Sequence, residues 1–129
     1  MAAIDRLYPT GMGFCQVVTA RGAKQVHISG QVAVDAEGRL VGEGDLIAQT
    51  EQVMKNVQRG LEVGGATFDD LVKITIYVVG YTPEVRAQLL AVRNRYIDAA
   101  SGPASTLIGV QCLVAPEFLI EIEALAVID

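Results

Sequence analysis

The chain has 129 residues, of which 51% are apolar and 19% charged. That length suits one domain, expected over residues 1–129, and the composition buries a core without metal or disulfide and excludes disorder. A net charge of −5 with no run of Lys or Arg counts against nucleic acid as a main partner, because neutralising phosphates needs clustered cations.

GFCQVVTA (13–20) and KQVHISGQVAV (24–34) are rich in Val and Ile and separated by RGA, which predicts a hairpin. Gly11-Met12-Gly13, just upstream, reads as a loop. DAEGRLVGEGD (35–45) is turn chemistry. Asp45 then suits an N-cap, and behind it Val53, Val57 and Leu61 recur at i, i+4 and i+8, with Ile47 and Met54 close to the same stripe. Glu51, Gln52, Lys55, Gln58, Arg59 and Glu62 fill the wet face, and Gly64-Gly65 ends the helix. In DDLVKITIYVVG (69–80), Val72, Ile74, Ile76 and Val78 alternate with Lys73, Thr75 and Tyr77, the pattern of a strand with one face on the core. Thr82-Pro83-Glu84 opens a second helix, whose stripe is Val85, Leu89, Val92 and Tyr96, and Gly102-Pro103 breaks it. Two strands close the chain, near 104–113 and 118–127.

The expected order is β-β-α-β-α-β-β, a two-layer α+β domain in which two amphipathic helices pack on one face of a mixed sheet. Leu71, Thr75, Tyr77, Leu119, Leu125 and Val127 then fall on the second face. An apolar sheet face that two helices do not cover implies self-association.

Few residues offer chemistry. Glu121 and Glu123 stand at i, i+2 on a strand and point to one face. They read either as an acid/base pair or as a solvated face paired with Lys73 or an Arg. His27, the one imidazole, lies between Val26 and Ile28 and reads as structural. Gly30, within Ser29-Gly30-Gln31, marks either a close approach of the backbone to a ligand or another subunit, or a bulge. Cys15 and Cys112 form no C-x-x-C pair and read as two buried thiols. No metal site, Walker loop, G-x-S-x-G or dinucleotide fingerprint occurs, so no metal and no cofactor are expected. No apolar stretch reaches the ~18–20 residues of a membrane span and no signal-peptide pattern is present, so a cytoplasmic protein without a membrane partner is expected.

Three segments together resemble the Rid family, also called YjgF or reactive-intermediate deaminase: HISGQVAVDAEGRLV, GDLIAQTEQVMKNVQRGLEVGGATFDDLVKITIYV and PASTLIGVQCLVAPEFLIEIEALAV. The resemblance implies a chorismate-mutase-like (YjgF-like) α+β subunit, a homotrimer, and intersubunit clefts that take a small-molecule ligand. Active members hydrolyse imines or enamines there without metal or cofactor. An arginine following the Pro-Ala of the last segment grips the substrate carboxylate, a glutamate on the last strand positions water, and a tyrosine near the N-terminal strand completes the pocket. In this chain Ser105 holds the arginine's position, Phe14 the tyrosine's and Leu107 that of a common cysteine, while Glu121 keeps the glutamate's. The expected site is therefore Glu121 as the catalytic carboxylate that orients or deprotonates water, with Ser105, Leu107, Phe14 and Gly30 contacting substrate. Whether Arg93 replaces the missing cation stays open. The expected function is hydrolysis of an imine, enamine or related carbonyl compound other than simple 2-imino acids; the alternative is a non-catalytic small-molecule-binding or pathway accessory trimer. The family is also labelled endoribonuclease and translation inhibitor, which the acidic charge disfavours here.

Overall fold

The computed structural model describes residues 2–129 and every side chain among them except that of residue 101. Strands β1 (Ala3–Pro9), β2 (Cys15–Arg21) and β3 (Lys24–Gln31) precede helix α1 (Leu46–Val63). Strand β4 (Leu71–Val79), helix α2 (Pro83–Arg93), strand β5 (Ala104–Val110) and strand β6 (Ile120–Ile128) follow. The strands form one mixed sheet in the order β1-β2-β5-β4-β6-β3, with β4 parallel to β5 and antiparallel to β6. Helix α1 packs on β3 and β6 and against α2, which gives the expected two layers.

Helix α1 follows its sequence closely. Asp45 caps it by accepting from Ala48 N, and Gly64 ends it. Val53, Met54, Val57 and Leu61 have no exposed surface. Burying each such side chain contributes about 1.5–3 kcal/mol. Gln49 is also buried, and it acts as a latch. Its Nε2 donates to Gly42 O and Glu117 O, and its Oε1 accepts from Leu119 N, which holds the chain where it enters β6.

Five expectations fail. The first strand, β1, is absent from the sequence reading; it pairs antiparallel with β2 from Ala3–Arg21 to Pro9–Cys15, across a loop in which Gly11 and Gly13 adopt positive φ. Segments 13–20 and 24–34 do not form a hairpin. β2 pairs with β1 and meets β5 at Cys15–Ala104, whereas β3 pairs with β6 at the other end of the sheet. The inward set of β4 is Leu71, Ile74, Ile76 and Val78, not Val72, because a register shift against β6 between Leu71 and Lys73 changes the alternation. Leu71 is thus fully buried, and Val127 is buried too. A Cβ at Gly22 would lie 2.6 Å from Val127 Cγ1, so the β2–β3 turn covers that end of the open face. Thr75, Tyr77, Leu119 and Leu125 remain half-buried, as expected. Finally, Cys15 is buried but Cys112, in the β5–β6 connection, is exposed.

Candidate functional site

Two parallel strands place the first group of residues. In the β4–β5 register Ser105 lies beside Ile74 and Leu107 beside Ile76, so both share the face that the helices cover. There they line a cavity of about 120 Å³ with Phe14 and residues of both helices. Phe14 arrives from the β1–β2 loop. A Cβ at Gly102 would sit 2.1 Å from Gly13 O, and Cys15 N donates to Pro103 O at 3.1 Å. Gly102-Pro103 therefore does more than end the region of α2: glycine lets the loop approach closely enough to set Phe14 beside Ser105.

Arg93 lines this cavity. It is 3% exposed, its Nη2 donates to Gly13 O at 3.0 Å, its Nη1 donates to Asn94 Oδ1 at 3.2 Å, and its buried Nε has no partner. Burial draws its pKa below the ordinary arginine value. Arg86, which the sequence reading missed, lines the same cavity. The signal was available: residues 86 and 93 are seven apart on one helix and so share a face with Leu89 and Leu90.

The second group lies on the opposite face. Glu121 pairs with Tyr77 and Glu123 with Thr75 across the antiparallel β4–β6 ladder, one residue out of phase with the buried Ile120 and Ile122. The two acids differ. Tyr77 Oη donates to Glu123 Oε1 at 2.5 Å. That hydrogen bond, then partial burial and the charges of Glu123 and Glu121, hold the Tyr77 pKa above its ordinary value. The Glu121 carboxylate makes no hydrogen bond or ion pair among the described residues. Lys73 pairs with neither acid; its Nζ donates to Thr106 Oγ1 at 2.5 Å.

Gly30 lies beside Glu121. The β3–β6 register shifts between Ile28 and Gln31, and a Cβ at residue 30 would fall 2.4 Å from Glu121 Oε2. The register shift fits the bulge reading, and the group that Gly30 approaches within the chain is the Glu121 carboxylate. His27 is exposed, with Nε2 2.9 Å from Gln25 Oε1. A broader groove of about 670 Å³ between β3 and α1 is lined by His27, Ser29, Lys55 and Arg59 among others, and includes none of the five expected site residues. Among the described residues no three His, Cys, Asp or Glu side chains group closely enough to hold a metal ion. Nor is any helix among them long and apolar enough to cross a membrane.

One chain thus gathers Phe14, Ser105 and Leu107 on the helix side and Gly30 and Glu121 on the open side; it does not bring the two groups together.

The family model described as Endoribonuclease L-PSP matches residues 5–128. A RutC family protein of Pyrococcus abyssi is 33% identical over 101 residues, which cover 78% of this chain and 76% of the relative. Among solved structures, the Rid-family protein YyfB of Yersinia pestis has a TM-score of 0.87 at 40% identity and covers 98% of both chains. RidA from the Antarctic bacterium Psychrobacter sp. PAMC 21119 has a TM-score of 0.71 at 27% identity, covering 88% of this chain and 87% of that one.

Proposed function

This chain belongs to the Rid/YjgF family, and from that premise we propose that it hydrolyses an imine, enamine or related carbonyl compound other than simple 2-imino acids. The reaction takes place in clefts between the subunits of a homotrimer, each subunit one domain over residues 1–129. One subunit supplies Ser105, Leu107 and Phe14 to a cleft, and its neighbour supplies Glu121 and Gly30. Ser105 contacts the substrate, the backbone at Leu107 and Gly30 offers hydrogen bonds, and Phe14 forms a wall. Glu121 orients water and takes its proton as the water adds to the imine carbon, then returns a proton to the nitrogen, so that the C–N bond breaks and ammonia leaves with the carbonyl product. The protein acts in the cytoplasm without metal or cofactor.

The observation that supports this reading best is the difference between the two strand acids. Glu123 already accepts from Tyr77, whereas Glu121 has no partner and lies against a backbone kept open by a glycine. A general base needs a carboxylate free to accept a proton. The test generates imines in situ and follows ammonia release by wild type, Glu121→Gln and Glu123→Gln. Loss confined to the first is expected; equal loss in both would contradict a specific base.

A second reading, a non-catalytic ligand-binding or accessory trimer, is favoured by Ser105, Phe14 and Leu107, which remove the cation, phenol and thiol of active relatives. A ligand bound without turnover would decide for it. Although the matched family description is an endoribonuclease, a net charge of −5 argues against nucleic acid as substrate.

A further inference from the structure

The two strand acids leave β6 on the same face, two residues or about 7 Å apart. Carboxylates that close, with nothing between them, tend to share one proton instead of both ionising. Here a phenol intervenes. Tyr77 stands directly opposite Glu121 in the β4–β6 ladder, yet its Oη donates to Oε1 of Glu123, at 2.5 Å. The side chain therefore runs along the diagonal of the ladder, a span within reach of an aromatic residue. No cation takes this place. Lys73, the one cation on β4, donates to Thr106 Oγ1, and His27 on β3 lies 2.9 Å from Gln25 Oε1. Those two are the other titratable groups around the hollow beside Glu123. Strand β5 has no titratable side chain, and helix α1 packs on the other face of β6. Arg21, Asp69 and Asp70 stand at the far end of β6, by Ala126 and Val127.

We propose that Tyr77 is a positioning residue: by holding Glu123 it keeps the two carboxylates from sharing a proton, and so leaves Glu121 free to act as base. The inference rests on the hydrolytic reading above and deepens it, because a base that shares a proton with its neighbour is already partly protonated before water arrives. A hydroxyl suits this place better than the alternatives. It donates one hydrogen bond and adds no charge, whereas Lys or Arg between the acids would pair with Glu121 as readily as with Glu123, and an apolar side chain would hold neither. The hydroxyl also keeps its proton. The bond to Glu123, then partial burial and the charges of the two acids, raise the Tyr77 pKa, so the donor persists through neutral pH and above. Gly30 contributes from the other side by leaving the space that the Glu121 carboxylate occupies. Each acid thus has its own place, Glu123 against the phenol and Glu121 against the glycine.

The experiment follows the side-chain carboxyl carbons of Glu121 and Glu123 by carbon-13 NMR across an acid titration of the full chain, with Glu121→Gln and Glu123→Gln to assign the signals. In wild type, Glu121 is expected to titrate in a single step. In Tyr77→Phe, which keeps the ring, both signals should move together in two steps, the upper one about one pH unit above the wild-type Glu121 midpoint, since interacting sites titrate as a pair. Adding Glu123→Gln to Tyr77→Phe should restore the single step. The same proteins give pH–rate profiles for ammonia release from imines generated in situ. The acid limb should move upward in Tyr77→Phe and return in the double variant, with the plateau rate near wild type throughout. A Glu121 titration unmoved by Tyr77→Phe, or a rate loss at every pH that Glu123→Gln does not rescue, would overturn the proposal. If Tyr77→Phe does not fold, the wild-type titration decides: a single Glu121 step supports the proposal, and two steps that follow Glu123 overturn it. Coupled titration in Tyr77→Phe with no hydrolysis of any imine by wild type would sink the catalytic reading alone. Hydrolysis with a Glu121 titration blind to Tyr77→Phe would sink this one alone.

Discussion

On the helix side of the sheet, Arg86 and Arg93 stand around a cavity with Ser105 and without an acid; on the open side, Glu121 and Glu123 stand beside Tyr77. The two regions are built by neighbouring strands, and the difference between them is one of phase. β5 turns Ser105 and Leu107 toward the helices, while β6 turns Glu121 and Glu123 away from them. Period-2 alternation makes that separation absolute within a chain, because no rotamer carries a side chain through a packed sheet. The comparison teaches that one sheet carries two groups of opposite charge on its two faces. On the function proposed above, a second subunit is what brings Glu121 to the side of Ser105.

The largest expected effect falls on the open face. Glu121→Gln should lower any hydrolysis by about 10²–10⁴-fold, the usual contribution of a general base, with the assembly intact by sedimentation. Glu123→Gln should stay near wild type, since that carboxylate is committed to Tyr77. On the helix side, Ser105→Arg adds a third guanidinium to a cavity that already has two. An unpaired charge placed there should lower stability by about 1–3 kcal/mol in denaturant titrations. A stabilised variant would mean that an acid faces the cavity after all.

Gly30→Ala sharpens the comparison by acting on one group alone. The new methyl would contact the Glu121 carboxylate, the far end of a flexible side chain, which can move aside. Thermal stability should therefore change by less than ~1 kcal/mol, while kcat falls by roughly tenfold through misplacement of the base. Equal and large losses of both would assign Gly30 to the fold instead of the site.

The smallest effect is alkaline. Tyr77 is held protonated above its ordinary value of 10.0 by the hydrogen bond to Glu123, with smaller contributions from burial and the nearby acids. Burial first, and then Tyr96 Oη donating to Glu51 Oε1, push Tyr96 up to about 12. A raised folded value means the native state holds these protons more tightly than the unfolded chain does. Their contribution is complete below pH 10.0 and is lost as pH climbs through the folded values, near 12 for Tyr96. Thermal midpoints measured across that window should fall less steeply in Tyr96→Phe than in wild type, and only slightly less steeply in Tyr77→Phe.

How much of this was legible depended on what each residue had to reveal. Helix α1 read correctly because four buried apolar residues, an Asp cap and two glycines all agreed. The β1 strand did not: only Ile4 and Arg6 of Ala3–Pro9 show much burial, and Arg6 is held by its hydrogen bonds to Leu71 O, Gly102 O and Asp69 O, not by hydrophobicity. The β2–β3 hairpin was wrong because adjacency in sequence favours pairing without fixing it, and here β2 pairs with β1 and β3 with β6. Leu71 was misplaced because a bulge shifts the phase by one residue and leaves no mark in composition. The family resemblance supplied five candidate positions, but that Ser105 and Glu121 face opposite sides of the sheet was not read from the sequence, because it depends on which residues β5 and β6 set beside β4. Arg86 escaped because helical stripes are read from apolar residues, so a cation on the same stripe passes as surface.

The central claim is that the two groups meet across a subunit boundary. A crystal structure of the assembled protein tests it most directly. The expected result is a trimer in which the Ser105 hydroxyl of one protomer and the Glu121 carboxylate of the next open into one shared cleft. A monomer, or an assembly in which those two groups face separate compartments, would contradict it.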